Sequence, residues 1–369
     1  MTYKLLTAAI LMAGSVVANA SVLPPMPVPF KYGTGVIDNQ VIYIGLGSAG
    51  KSWYRLDTTR ADPQWESVAA FPGEAREQAT AVVTDGRIYV FGGTGKNAQG
   101  QTRVFNDVWM YTPSDNQWQK LMTHSPFGLT GHVAQVLAGQ IILTGGVNQN
   151  IFNGYFDDIT TAKGNPALLE KISRDYFSKP AGDYFYNRQI LSFSPVTLQW
   201  HSVGEIPYSG TAGATPVTDG NRLILINGEV KPGLRTDKVY AGSFHGQKIR
   251  WSHLPPVMSP DGVAGGFGGM SGDAVILAGG AGFRGARANY EQRKYWAHQG
   301  LSKYYSNDVH VYQQKRWVKA GHLPEGLAYG VSLPWKGGVL IIGGEKTGGK
   351  AVSDSVWLGV SQGKLTVKQ

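Results

Sequence analysis

The stretch RIYVFGG, Arg87 to Gly93, decides how this chain folds, because it recurs. An apolar run ending in a glycine step appears again as YIGLG (Tyr43 to Gly47), ILTGG (Ile142 to Gly146), ILING (Ile224 to Gly228), ILAGG (Ile276 to Gly280) and LIIGG (Leu340 to Gly344). From Gly47 onward the final glycines follow one another at 46, 53, 82, 52 and 64 residues. Recurrence on this scale marks stacked four-stranded units. The surroundings of the quoted stretch spell out one such unit. Gln78 to Val83 reads as a strand, turns at Asp85-Gly86 and returns through Arg87 to Gly93. After a loop of Gly, Asn and Gln, the alternating strand Asp107 to Tyr111 meets a turn at Ser114-Asp115-Asn116, and a last strand begins at Trp118. Both turns have hairpin chemistry, so the four strands are antiparallel neighbours. The expectation is an all-β, six-bladed β-propeller over residues 21–369, with strands a to d numbered outward from its axis.

Composition agrees. Glycine, at 50 of 369 residues, is nearly twice the usual ~7% and lacks collagen's triplet period, as many tight turns require. Residues 1–20 read as a removable export leader: Lys4 gives the positive start, Leu5 to Val17 the apolar core, and Ala18-Asn19-Ala20 the cleavage signal. The apolar core is too short for a membrane span, and no later run is long enough. The reading is a soluble protein exported to a Gram-negative periplasm. The absence of cysteine excludes a disulfide framework and thiol chemistry. The net charge is +9, of which Lys4 contributes one, and the basic residues are scattered rather than run together, which argues against nucleic acid.

The four-stranded skeleton carries a trailing tryptophan at Trp65, Trp118, Trp200, Trp251 and Trp317, read as packing between blades. The stretch Val22 to Pro29 resembles the linkers that follow other d strands, which leaves open which chain end closes the ring. Blades three and five carry insertions between strands b and c. In the first, Asn165-Pro166 reads as a helix cap and first position, followed by Leu168, Leu169, Ile172 and Tyr176 at helical spacing. The second, Asn289 to Ser306, is dense in aromatics. Such excursions suit lids, a homodimer contact or passive packing.

One complete motif has to be refused. Gly45 to Ser52, GLGSAGKS, matches a phosphate-binding loop, but that chemistry needs a helix to follow, and WYRLD (Trp53 to Asp57) is an alternating strand. Metal motifs are missing too: no H-E-x-x-H and no D-x-D-x-D-G loop occurs.

In an up-and-down blade the d–a and b–c connections share one face, so residues just after each glycine step line the channel mouth. That nominates Arg76, His132 and Asp261 from d–a connections, and Asn148, Asn153, Glu229, Arg235, Arg284, Arg287 and Glu345 from b–c connections. INGEVKPGLRTD (Ile226 to Asp237) stands out, with a carboxylate, a lysine and an arginine in a loop stiffened by Pro232. Glu229 suits a general base and Arg235 a bidentate grip on a ligand carboxylate. A surface salt bridge is the plainer reading, and Glu345 in IIGGE repeats the glutamate's position. Arg284 and Arg287 offer anion binding or simple solvation; Asn148 and Asn153 offer amides for sugar hydroxyls or ordinary turns.

At these residues the chain resembles the bacterial periplasmic N-acetylneuraminate epimerases, sialic acid mutarotases on a six-bladed kelch propeller. The similarity runs through YIGLGSAG, VFNDV, GGVNQNIFNGYF, KPGLRTD, SPDGVAGGF and AYGVSLPW. It implies conversion of α-N-acetylneuraminate to the β anomer without a cofactor, with Glu229 as proton acceptor and Arg235 beside the substrate's carboxylate. Arg76, Asn148, Asn153, Arg284 and Arg287 are the expected substrate-binding residues. The alternatives from other classes are a carbohydrate-binding or protein-binding propeller without turnover, and a sialidase. Ser114-Asp115-Asn116-Gln117-Trp118 only superficially matches a sialidase's Asp-box.

Overall fold

The computed structural model describes residues 22–245, 248–259 and 261–369; the expected leader, residues 1–20, lies outside them. Among the described residues the chain forms six four-stranded antiparallel sheets. Each is laid down in chain order. The second, for example, runs Thr80–Thr84, Arg87–Phe91, Asp107–Thr112 and Gln117–His124. At its first turn Asp85 and Gly86 both have positive φ, 50° and 66°, the geometry that matches strand twist in a two-residue hairpin.

Six apolar cores hold the sheets together, and each is shared by two consecutive sheets. Val36, Tyr43 and Trp53 of sheet one pack with Ile88, Val90 and Tyr111 of sheet two. The sixth core joins Ile42, Ile44 and Leu56 of sheet one to Leu333, Leu340 and Ile342 of sheet six. The innermost strands, Thr34–Asp38 through Val331–Trp335, touch in the same cyclic order, so the sheets close a ring in the manner of a β-propeller. The b strands read as unbroken apolar runs because neighbouring sheets cover both of their faces.

Three of the five trailing tryptophans tie their outer strand to the linker before its sheet. The indole N–H of Trp118 donates to Ala69 O, that of Trp317 to Pro255 O, and that of Trp65 to Pro24 O. Pro24 and Pro255 occupy matching places in two L-P-P runs, so the N-terminal segment does serve as a linker. It also settles the ring's closure. Sheet six is built wholly from the C-terminal end, Val331 to Lys368, and the N-terminal segment straps the seam through Met26 N to Ser353 O and Phe30 N to Val352 O, both 2.9 Å.

The insertion in sheet three holds two helices, α1 (Gln149–Thr161) and α2 (Pro166–Phe177). Asn165 caps α2 through Leu168 N, with Pro166 in the first turn, as the sequence predicts. Helix α1 was not legible: its amides and Gly154 read as a loop. The insertion in sheet five holds a shorter helix, α3 (Ala286–Glu291). The phosphate-loop look-alike contains only a three-residue helical turn, Gly47–Ala49, before strand Trp53–Asp57. Among the described residues no helix is long and apolar enough to cross a membrane.

Candidate functional site

The residue ahead of each innermost strand lies in the left-handed region: Tyr32 (φ 56°), Gln78 (55°), Gly131 (64°), Gly213 (63°), Gly265 (64°) and Tyr329 (59°). Their amides and carbonyls link in a chain around the channel, Gln78 to Tyr32 to Tyr329 to Gly265 to Gly213 to Gly131, each N–H donating at 2.8 Å. Glycine adopts this conformation without strain, whereas tyrosine and glutamine hold it at a cost of about 1–3 kcal/mol each. The ring is therefore lopsided. Bare backbone faces the channel at sheets three to five, and aromatic side chains stand at sheets six and one. These residues border a cavity of about 220 Å³ along the axis.

The residue just after each glycine step pairs with the incoming linker, as in the bridges Ala212 to Glu229, Ala264 to Ala281 and Ala328 to Glu345. Glutamate therefore occupies one ring position in two of the sheets. At sheet four, Glu229–Lys231 and Leu234–Arg235 form a small hairpin over Pro232-Gly233, which sets Glu229 directly opposite Arg235. The carboxylate Oε2 lies 2.9 Å from Arg235 Nη1, Gly233 N donates to the same oxygen at 3.3 Å, and the Tyr186 hydroxyl donates to Oε1 at 3.2 Å. Arg235 is buried, its guanidinium 5.0 Å from the Phe283 ring centre. Nε and Nη1 make no well-aligned hydrogen bond, so the ion pair is a close charge contact with donor capacity to spare. Burial disfavours charge on this arginine, yet Glu229 and the Tyr329 hydroxyl outweigh it and raise its pKa. Burial and the Glu229 charge likewise push the Tyr186 hydroxyl well above its ordinary range, so it stays protonated.

Both insertions roof this hairpin. Tyr184 and Tyr186, at the end of the first, pack on Ala212, while Leu234 packs with Ala286 and Ala297 of the second. They meet each other where Phe177 stacks on Trp296, 5.2 Å between centres, and where Ala181 N donates to the Tyr290 hydroxyl at 2.9 Å. Lys231 fastens them. Its ammonium, fully enclosed, donates to Phe177 O, Lys179 O and Tyr295 O. His298 presses on Gly233 from the second insertion, and burial lowers its pKa to about 4.

The second glutamate is caged differently. Glu345 receives Lys31 Nζ at 2.6 Å, Lys303 Nζ at 2.8 Å and the hydroxyls of Tyr305 at 2.5 Å and Tyr32 at 3.1 Å. Burial alone would raise its pKa; the two ammonium groups and Tyr305 win and hold it near 2.

Several expected substrate contacts are differently employed. Arg76 is a correction: its side chain is fully buried, bound to Asp107 at 2.6 and 3.2 Å and to Gly92 O at 3.0 Å, with Phe71 and Phe105 against its guanidinium, so it faces no channel. Asn148 caps α1 through Asn150 N and Ile151 N, and the Asn153 side chain accepts from Val104 N, so both amide oxygens are spent on local backbone. Arg287 donates to Arg235 O at 2.6 Å, and Asp261 accepts from Gly285 N and Arg287 N, which makes them braces of the sheet-five loop. Arg284 is exposed beside the Tyr304 ring. His132 is buried against the Thr80 hydroxyl, its pKa lowered to about 3 by desolvation. Sequence reasoning brought Glu229 and Arg235 together but missed Tyr186, Lys303 and the Lys31–Tyr32 pair, which reach the mouth from other sheets.

Fold and site define a β-propeller with a carboxylate–arginine pair in one channel-mouth hairpin, roofed by two loop insertions. The chain belongs to the N-acetylneuraminate epimerase family, whose profile matches residues 23–367. It is 56% identical over 365 residues, 99% of both chains, to the N-acetylneuraminate epimerase of Escherichia coli strain K12, and equally to that of Shigella flexneri. The solved structure titled "Structure of YjhT" superposes with a TM-score of 0.93 at 56% identity, covering 95% of this chain and all of that one.

Proposed function

We propose that this protein is a six-bladed kelch-type propeller, exported to the periplasm, that interconverts the anomers of N-acetylneuraminate, drawing the α form toward the β form. The observation that carries the reading is the Glu229–Arg235 hairpin contact at 2.9 Å in a chain that matches proteins named N-acetylneuraminate epimerase along nearly its whole length.

The substrate dictates the chemistry. In the cyclic form, the anomeric carbon C2 bears a hydroxyl, the ring oxygen and the C1 carboxylate. Glu229 takes the anomeric hydroxyl proton as the bond from C2 to the ring oxygen breaks, and that oxygen takes a proton from water, which recovers it on reclosure. The open 2-keto acid rotates about the C2–C3 bond and recloses on its other face, with every proton returned. No electron is gained or lost, so the step calls for no redox partner. Arg235 is assigned to the C1 carboxylate, and Tyr186 holds Glu229 in place from the opposite side.

The test is NMR of freshly dissolved N-acetylneuraminate, following the anomeric signals to equilibrium. General acid–base assistance contributes about 10²–10⁴-fold, so Glu229→Gln should lose that factor while remaining folded. A variant that equilibrates the anomers as fast as wild type removes Glu229 from the mechanism. Binding without acceleration by wild type would make the protein a carbohydrate-binding propeller instead. Release of sialic acid from a glycoside would make it a sialidase.

A further inference from the structure

The two glutamate positions differ in charge balance. Glu229 and Arg235 form one direct ion pair, whereas Glu345 makes two, with Lys31 and Lys303, and Glu77 is a further carboxylate within electrostatic reach of Lys31. The carboxylate is nearly hidden, its side chain 5% exposed, yet Lys31 and Lys303 keep 24% and 29% of theirs in solvent. An ammonium group has three donors. Lys303 spends one on Glu345 at 2.8 Å and a weak one on the Tyr32 hydroxyl at 3.4 Å; Lys31 spends two, on Glu345 and Gly349 O.

The cluster lies one aromatic ring from the acid–base pair. Lys303 Nζ sits 4.6 Å from the centre of the Tyr329 ring, and the hydroxyl of that same tyrosine is a polar neighbour of Arg235. Tyr329 and Tyr32 are the strained left-handed positions of the ring at the channel mouth, with their rings 4.8 Å apart. Strain of this kind persists where surrounding structure enforces it, and here it places two tyrosines beside Lys303. Lys303 and Arg235 therefore flank the same tyrosine, one at its ring and the other at its hydroxyl.

Building on the mutarotase reading, we propose that Lys303 is a second carboxylate-binding residue, held over Tyr329 by Glu345, which shares the C1 carboxylate of the sugar acid with Arg235. Glu345 is then a positioning residue and takes no proton in the reaction. Two cations on one carboxylate keep it anchored while the ring is open and C2 turns.

The experiment compares N-acetylneuraminate with its C1 methyl ester, which is uncharged, in wild type and Lys303→Gln. Wild type should favour the acid in kcat/KM. The variant should lose about tenfold or more of that preference, the factor carried by one charge-assisted hydrogen bond, through KM rather than kcat. Lys303→Arg should restore it. An unchanged acid-to-ester ratio in a folded Lys303→Gln overturns the proposal while leaving the mutarotase reading intact; failure of wild type to accelerate anomer exchange would remove that reading first. Should Lys303→Gln not fold, the lysine ammonium resonance missing from the Lys303→Arg spectrum identifies Lys303 in wild type. It should shift on saturation with the acid and hold still with the ester. No shift with the acid overturns the proposal.

Discussion

Replacing Arg76 with methionine separates a structural arginine from a substrate-binding one. Methionine keeps the apolar contact between Phe71 and Phe105 and removes the charge. Asp107, 8% exposed, then loses its bidentate partner and retains only the Trp109 indole at 2.8 Å and Lys120 at 3.9 Å. Stranding one member of a buried pair costs about 3–5 kcal/mol. With an unfolding entropy of roughly 2.1 cal/mol/K per residue, a domain of this length should melt about 4–7 °C lower. The pH dependence gives a second signature. In wild type, burial pushes the Asp107 pKa up, but Arg76 and then Trp109 outweigh it, so the pKa lies below the ordinary carboxylate value. That contribution to stability is present above about pH 4 and is lost as pH falls through the folded pKa. Without Arg76 the burial effect dominates and the carboxyl can relieve its cost by protonating, so the gap between variant and wild type should narrow in acid. Arg76→Met combined with Asp107→Asn should recover most of the loss. Differential scanning calorimetry at neutral and acid pH measures these changes, and anomer exchange per folded molecule should stay at the wild-type level. A raised KM with an unchanged melting point would falsify the structural assignment.

Two other changes test parts of the fold beside the site. Asn227, first residue of the sheet-four glycine step, has φ 58° and a buried amide with no partner for either polar atom. Asn227→Gly restores the double glycine and should stabilise by about 1 kcal/mol in urea titration, since an unsatisfied buried group costs roughly 1–3 kcal/mol; destabilisation would show that the amide is satisfied. Lys231→Met should free the sheet-three insertion, so that limited proteolysis within residues 149–184 becomes markedly faster while the six sheets stay folded. Burial lowers the Lys231 pKa to about 8 from 10.5, so the folded state releases this proton first. Its contribution to stability should therefore rise with pH between those values in wild type and be absent from the variant.

The repeat was readable because the same backbone event is solved six times with glycine, and the cost of a side chain there leaves a mark in sequence. The charged loop was readable, but its register was not: a regular turn at Pro-Gly would set Val230 opposite Arg235, and a bulge between Glu229 and Lys231 brings the carboxylate there instead. What failed was the inference from place in a connection to exposure. Arg76 stands in a linker, but its partner Asp107 opens a c strand in N-D-V, a triplet that recurs at Asn307-Asp308-Val309. That recurrence was the available sign of a structural carboxylate in need of a cation. The helix that Asn148 caps was not legible because α1 carries Gly154 and weak helix formers, and tertiary contacts rather than propensity hold it. The Glu345 cage was out of reach for another reason. Its members come from residues 31–32, 303–305 and 345: sheets five and six are consecutive, but only ring closure brings Lys31 and Tyr32 to Glu345.

That closure has an operational meaning. The seam is joined by side-chain packing and a strap rather than by a strand shared between the two ends of the chain. Lys31 and Tyr32 lie on one lip and Glu345 on the other, whereas Glu229 and Arg235 belong to a single hairpin of sheet four. A molecule whose ends had parted would keep Glu229 and Arg235 together while Glu345 lost Lys31 and Tyr32 and kept only Lys303 and Tyr305.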